Sequence, residues 1–165
     1  MIHITKLPER IKLIASLINK KSIVADIGCD HAYLLILLAA QNKLIKGYGI
    51  DNKKGPIQNA IKNISEFNFN NLIELKLSDG IKELNNDVNI LVLAGMGGLN
   101  IIDILSKNLN ALNHIDEIIL DAHNSRMEVR KYLIDLGYKI ETQLILFEKN
   151  IYYQIDKFME AAVYD

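Results

Sequence analysis

Carboxylates or glycines recur at four points of this chain, each directly after an apolar run. The first group, Asp26, Gly28, Asp30 and His31, ends the run 22–25. A lone glycine lets the backbone pass close to a ligand, whereas a dinucleotide site needs three glycines for its pyrophosphate. Carboxylates here would repel a phosphate and attract a cation. The group predicts a nucleotide-like ligand with positive charge and no phosphate, such as S-adenosylmethionine.

The next two groups follow the second and third apolar runs. Asp51 and Asn52 come about 25 positions after the first group, close to where an acidic residue accepts hydrogen bonds from both ribose hydroxyls. The alternative is that Asp51 only caps the next helix, and we favour the ribose. In Ser78-Asp79-Gly80 we predict that Asp79 accepts a hydrogen bond from an adenine amino group. The alternative there is an ordinary hairpin turn.

The fourth group is the sequence Ala94-Gly95-Met96-Gly97-Gly98. Three glycines around one methionine expose bare backbone at the end of a buried run, where a cofactor and a substrate could meet. The alternative is a flexible loop with a methionine in the core. We favour the site, because a helical pattern resumes at once with Ile101, Ile104 and Leu105.

Strand and helix patterns that alternate along the chain must position these groups. The predicted strands are 22–25, 44–50, 73–77, 88–93 and 117–120, followed by an antiparallel hairpin of 138–147 and 151–158. The alternation predicts an α/β fold with a mostly parallel sheet of about seven strands and helices on both faces. All four groups then lie at the carboxyl edge of the sheet, where ligands bind.

Two further predictions concern the first and last helices. An amphipathic helix begins near Pro8, and its outer face carries Lys6, Arg10 and Lys12. For this face we favour simple solvation over a phosphate-contacting patch. Ser125-x-x-Glu128 predicts a capping box at the start of the last helix.

Composition restricts the function classes. The chain has 165 residues and a net charge of −1, so nucleic acid must be bound by a local basic patch. Cys29 is the one cysteine, which excludes a disulfide framework, and Asp30, His31 and His123 lack the spacing of a metal site. No apolar run approaches the ~20 residues of a membrane span. We expect a cytoplasmic, monomeric protein without a metal.

The four groups together resemble a known family. Residues 26–34 (DIGCDHAYL), with Asp51, Gly55-Pro56, the SDG at 78–80 and the AGMGG at 94–98, resemble the bacterial tRNA (adenine(22)-N(1))-methyltransferases over nearly the whole chain. The resemblance implies a Rossmann-like class I methyltransferase domain over residues 1–165, with S-adenosylmethionine as methyl donor. It implies N1 of one adenine in tRNA as the acceptor.

The resemblance also implies roles for the site residues. Asp30 and His31 face the target base, with two open alternatives: Asp30 binds the methionine ammonium, or His31 has no chemical role. The cofactor is held by Asp26, Gly28, Cys29, Asp51, Asn52, Ser78, Asp79, Gly80, Ala94, Gly95 and Met96.

The chain departs from the family pattern in two ways. We expect the helical C-terminal domain of the family to be absent, and residues 121–124 differ from the Gln-Pro expected there. Rival functions are methylation of another RNA or of a small molecule, a non-catalytic module that binds S-adenosylmethionine, and a nicotinamide-dependent oxidoreductase. The missing glycines and Asp30 disfavour the oxidoreductase.

Overall fold

A seven-stranded sheet forms the centre of the molecule. The structure, a computed structural model, describes residues 3–161. Strands β1 to β7 are Ser22–Ile27, Leu44–Asp51, Ile73–Leu77, Ile90–Met96, Glu117–Ala122, Tyr138–Glu148 and Ile151–Glu160. Helices α1 to α5 are Glu9–Ser16, Tyr33–Ala40, Lys54–Glu66, Gly98–Ser106 and Arg126–Asp135.

The strand order is β3-β2-β1-β4-β5-β7-β6. Strands β1 to β5 pair in parallel, and β7 pairs antiparallel with both β5 and β6. The predicted α/β fold with a C-terminal hairpin is therefore confirmed. The chain builds outward from β1 to β3 and then restarts on the other side at β4, so a topological switch point lies between β1 and β4.

The central strands are buried on both faces because successive side chains enter two different cores. Ile90 and Val92 pack with α1, α2 and α3, whereas Leu91 and Leu93 pack with α4 and α5. This two-sided burial explains why the strands read as continuous apolar runs rather than as alternating patterns. Helices on both faces leave the carboxyl edge open between them.

The hairpin is attached to the rest of the fold through a buried lysine. Lys157 on β7 is 2% exposed and donates a hydrogen bond to the carbonyl of Leu17 at 2.8 Å. Its ammonium also lies 3.3 Å from Glu141 and 3.6 Å from Glu117. Because a buried charge is tolerated only with partners of this kind, the contacts fix β7 against the end of α1.

Two local predictions need correction. Strand β4 begins at Ile90 and continues to Met96 through an irregularity next to β5, so it runs three residues further than the apolar run indicated. The capping box at Ser125 is wrong. Ser125 has φ 50° and ψ 37° instead of the extended conformation of an N-cap, and its hydroxyl makes no cap hydrogen bond. The neighbouring Asn124 side chain accepts the N–H of Gly98, at the start of α4.

Because α4 contacts the segment before α5 at Gly98, we expect substitution of this glycine to destabilise the fold. A Cβ there would lie 2.5 Å from the carbonyl oxygen of Asn124, so Gly98→Ala should lower the free energy of unfolding by about 2 kcal/mol or more. Gly55→Ala is the matched control, because a Cβ added at Gly55 would have no described atom within 4 Å apart from those of its chain neighbours and its own helix backbone. We expect it to stabilise α3 by up to about 1 kcal/mol. Urea unfolding measures both, and equal stabilities would contradict the packing described.

Candidate cofactor and acceptor site

The loop after β1 is held against the end of β2. The N–H groups of Gly28 and Cys29 both donate to the carbonyl of Ile50, at 2.7 and 3.2 Å. Gly28, Asp30 and Ala32 have φ of 72°, 49° and 63°, so the chain reverses within five residues before α2 begins. The left-handed conformation costs a glycine nothing, which accounts for Gly28.

Asp51, at the end of β2, connects this loop to the next helix. Its Oδ2 accepts the N–H of Asp30 at 3.4 Å, and its Oδ1 accepts the N–H of Lys53 at 3.1 Å. Asp51 therefore shapes the turn before α3, but it does not cap that helix as the alternative to the ribose prediction held, because the N-cap is Lys53 and no side chain caps it. Each carboxylate oxygen can accept more than one hydrogen bond, so this role is compatible with ribose binding.

A cleft of about 310 Å³ opens between the ends of β1 and β2, the turn 78–80 and α4. It brings together most of the residues predicted to hold a nucleoside. Its lining includes Gly28, Asp30, Asp51, Asn52, Ser78, Asp79, Gly80 and Met96. Sequence analysis missed Asn100, Asp103 and Ile104, which reach the cleft from α4. No motif singles them out, because only the packing of α4 turns them toward it.

A smaller cleft of about 110 Å³ lies on the other side of the loop, under α1. Gly28 and Asp30 line both clefts, so the two are continuous around the loop. The smaller cleft takes up the remaining predicted residues except Gly95, namely Asp26, Cys29, His31 and Ala94. A Cβ at Gly95 would lie 3.3 Å from Nη1 of Arg10, so Gly95 faces this side as well.

Asp30 lines both clefts, and the adjacent His31 lines the smaller one. The His31 ring stacks on Tyr33, with centroids 5.1 Å apart and planes at 19°. Its Nε2 lies 3.8 Å from Oδ2 of Asp30, and both side chains are exposed. Tyr33 is half-buried, and it also packs against the core that contains α2.

Asp26 is a buried carboxyl in a crowd of other carboxylates. It is 7% exposed, and burial raises its pKa to about 7, with further increases from the negative charges of Asp51 and Asp30. The positive charge of Arg10 opposes the shift. Burial, Asp26 and Asp51 also raise the pKa of the Cys29 thiol, so Cys29 stays a neutral thiol.

Arg10 corrects the prediction for the outer face of α1. Its Nη1 lies 3.2 Å from Oδ2 of Asp121, which is 0% exposed at the end of β5. Its guanidinium lies over the Tyr153 ring at 5.3 Å. Arg10 is therefore turned inward over the smaller cleft. A buried carboxylate such as Asp121 needs a cation, but sequence alone did not indicate which cation would reach it.

Within residues 3–161, no group of three or more His, Cys, Asp or Glu side chains is placed to hold a metal ion. In the same range, no helix combines the length and the apolar character needed to cross a membrane.

The charge of the clefts indicates the kind of ligand they accept. The cations of the described lining are Arg10 and Lys53. Five carboxyl side chains line the same clefts: Asp26, Asp30, Asp51, Asp79 and Asp103. A phosphate would be repelled here, and a ligand with cationic groups and free hydroxyls would be attracted. The ammonium, sulfonium and ribose of S-adenosylmethionine fit this set of groups.

The sheet order and the acidic single-glycine loop define the class of the protein as a Rossmann-like methyltransferase domain. A family model described as "Methyltransferase domain" matches residues 7–155. The tRNA (adenine(22)-N(1))-methyltransferase of Bacillus subtilis is 26% identical over 151 residues, which are 91% of this chain and 63% of that protein. The chain belongs to the bacterial tRNA (adenine(22)-N(1))-methyltransferase family.

Solved structures of relatives have the same fold. A structure from M. capricolum, in complex with the natural cofactor product S-adenosyl-homocysteine, has a TM-score of 0.85 at 30% identity and covers 93% of this chain and 69% of that one. The B. subtilis M1A22 tRNA methyltransferase has a TM-score of 0.89 at 26% identity, with 95% and 67% covered. The chain thus spans about two thirds of the length of these relatives.

Because Asp26 is a buried carboxyl with a raised pKa, we expect it to destabilise the fold as the pH rises. Its pKa rises from about 3.9 in the unfolded chain to about 7 in the folded one, so between these values the folded state binds the extra proton. The contribution of Asp26 to the free energy of unfolding therefore falls as the pH rises from about 4 to about 7. Between pH 5 and pH 8 the free energy of unfolding should decrease in the wild-type chain by about 2 kcal/mol more than in Asp26→Asn.

Chemical denaturation without ligand at the two pH values measures this difference. Asp135→Asn is the control, because it removes an exposed carboxylate and should keep the wild-type pH dependence. Identical pH dependences for Asp26→Asn and the wild type would show that Asp26 is not a buried, repelled carboxyl.

Proposed function

We propose that the chain transfers the methyl group of S-adenosylmethionine to N1 of adenine 22 in tRNA. One observation carries the proposal: two clefts rich in carboxylates meet at Gly28 and Asp30, on the carboxyl edge at the switch point. Family membership supplies the acceptor, since the B. subtilis relative is named for this reaction. We assign residues 1–165 to one methyltransferase domain.

In this proposal the larger cleft holds the adenosine part of the cofactor. Asp51 accepts hydrogen bonds from the ribose hydroxyls, with Asn52 beside it. Asp79 accepts one from the adenine amino group, and the backbone of Ser78 and Gly80 shapes that end. Met96 and Ile104 supply apolar surface for the ring.

The smaller cleft holds the methionine part. Asp26 attracts its cationic groups, while Gly28, Cys29 and Ala94 line the cleft and Gly95 faces Arg10 on the same side. Binding a cation beside Asp26 favours the ionised carboxyl, so occupancy should lower the pKa that burial and repulsion have raised. Family membership and the S-adenosyl-homocysteine in the M. capricolum structure support this choice of ligand.

The chemistry at the acceptor demands little from the protein beyond positioning. The cofactor supplies an electrophilic methyl carbon and a neutral thioether leaving group. N1 of adenine has a free lone pair in the ring plane, so no strong general base is needed. N1 also lies on the Watson–Crick edge, so a paired adenine must be flipped out of its helix before it can enter.

Asp30 and His31 are the proposed catalytic residues, since Asp30 lines both clefts and His31 lies beside it on the smaller one. The adenine ring becomes positively charged on methylation, and the exposed carboxylate of Asp30 can stabilise that charge. His31 can accept a hydrogen bond from the exocyclic amine of the base, and its stacking on Tyr33 fixes the ring orientation. Asp30 would bind the methionine ammonium if the cofactor extends further along the loop.

The assignment of Asp51 is tested by calorimetric titration with S-adenosylmethionine. Asp51→Asn should weaken binding at least about tenfold, because the amide is a poorer acceptor for two hydroxyls. Asp116→Asn changes the charge equally at the opposite edge of the sheet and should bind as the wild type does. NADH should give no saturable signal. If the wild-type chain binds NADH and not S-adenosylmethionine, the proposed function is wrong.

The assignment of the acceptor is tested with two tRNA transcripts that differ only at position 22, adenine in one and guanine in the other. Nucleoside mass spectrometry should detect N1-methyladenosine only from the first transcript. Asp30→Asn should lower kcat about tenfold or more and leave the affinity for S-adenosylmethionine unchanged. Equal methylation of both transcripts would refute the position, and a loss of cofactor affinity in Asp30→Asn would move Asp30 to the ammonium.

A further inference from the structure

A groove lies between α5 and the β6–β7 hairpin, outside both clefts. It has a volume of about 270 Å³ and is lined by Arg126, Met127, Arg130, Gln143 and Gln154. The two arginines are four residues apart on α5, so they lie on one side of the helix. The groove thus combines two permanent positive charges with two amide groups.

The arginines of this groove are not neutralised within the described chain. Neither forms an ion pair within 4 Å among residues 3–161, and Nε of Arg126 is buried there without a hydrogen-bond partner. The nearby carboxylate of Asp156 accepts hydrogen bonds from the Gln154 amide, both at 3.2 Å. Arg126 acts on the buried carboxyl of Asp121 at longer range, and Oδ1 of Asp121 is likewise buried without a hydrogen-bond partner in the described chain. Neither guanidinium therefore has a direct carboxylate partner among these residues, and an anionic ligand at the groove would supply one.

An exposed aromatic pair continues the groove along the same face of the hairpin. Gln143, Ile145 and Phe147 alternate along β6, so their side chains share one face, and they pair with Asp156, Gln154 and Tyr152. Phe147 and Tyr152 are 56% and 69% exposed, with ring centroids 4.6 Å apart. We call Arg126, Arg130, Gln143, Gln154, Phe147 and Tyr152 the α5–hairpin face.

This face adjoins the acceptor side of the site. Strand β7 is antiparallel to β5 and pairs Asp156 with Leu120, so the hairpin tip projects beyond the carboxyl edge. Asp121 links the two regions, because Arg10 over the smaller cleft and Arg126 at the groove both act on its carboxyl and oppose the rise in its pKa that burial causes. The smaller cleft and the α5–hairpin face therefore flank the carboxyl edge from opposite faces of the sheet, and a polymer that crosses this edge reaches both.

We propose that the α5–hairpin face binds the tRNA next to the target adenine, with Arg126 and Arg130 on backbone phosphates and Phe147 and Tyr152 stacked on an unpaired base. This inference rests on the proposed function and adds the surface that holds the substrate. Unpaired guanidinium groups beside an exposed aromatic pair are the combination that binds single-stranded or looped RNA. Because the chain has a net charge of −1, such affinity must come from a local surface of this kind.

The test measures the affinity for the tRNA transcript with adenine 22 as a function of salt. Each phosphate contact contributes about 0.7 to 0.9 to the slope of log K against log salt, the lower value being that for single strands, so Arg126→Gln with Arg130→Gln should reduce that slope by about 1.4 to 1.8. Affinity at about 0.1 M salt should fall about tenfold or more. The affinity for S-adenosylmethionine should not change, because neither arginine lines a cofactor cleft.

Matched controls separate this surface from general charge. Lys131→Gln with Lys139→Gln removes the same charge from exposed positions outside the groove and should leave the slope nearly unchanged. Tyr152→Ala should weaken binding about fivefold or more at an unchanged slope, since it removes stacking but no charge. Ile61→Ala removes an exposed apolar side chain on α3 and should have no effect.

The outcomes distinguish this inference from the proposed function. The wild-type chain could methylate adenine 22 while both double variants show the same decrease in tRNA affinity and in the slope of log K against log salt. In that case the α5–hairpin face is not the RNA surface, and the proposed function stands. If the wild-type chain binds S-adenosylmethionine but neither binds nor methylates tRNA, both fail. A slope reduced only in the arginine variant, together with weaker binding by Tyr152→Ala, would establish the surface.

Discussion

The burial of Asp26 among other carboxylates at the carboxyl edge is the constraint on which the rest of the site depends. Burial raises the pKa of Asp26 most, the charges of Asp51 and Asp30 raise it further, and the charge of Arg10 opposes them. Such an arrangement lowers the stability of the empty fold and is relieved by a cationic ligand. The charges that lower the stability of the empty site also make it selective, because they repel phosphates and attract ligands that carry positive charge.

The acidic centre and the cationic groups around it come from different elements of the fold. The parallel β-α units deliver carboxylates to the switch point, because each strand there ends in a loop over the same edge. The cations come from α1 and α5, which pack on opposite faces of the sheet and approach Asp121 from two sides. The antiparallel hairpin extends the same edge outward. A small methyl donor and a large polyanion can thus be attracted to neighbouring regions of one nearly neutral chain.

The sequence was sufficient for the features that depend on local patterns. Buried runs such as 88–93 predicted the parallel strands, and Asp51 and Asp79 were placed at one cleft because parallel strands share a carboxyl edge. It was insufficient where partners are distant in the chain. Arg10 was predicted to be solvated because its partner, Asp121, lies 111 residues away. The Ser125 cap failed for a related reason: packing of α4 against residues 124 and 125 sets the backbone there, and a capping motif carries no information about that contact.

The burial of Cys29 has a consequence for redox chemistry. This cysteine is the one thiol of the chain, it is 5% exposed, and its surroundings keep it protonated. Because the thiolate is the form that reacts with alkylating and oxidising agents, the folded protein resists both while the loop after β1 stays closed. Cys29 lies within that loop, between the two clefts. The rate of its modification therefore reports how often the loop opens, and the protein carries a probe of its own site without any introduced label.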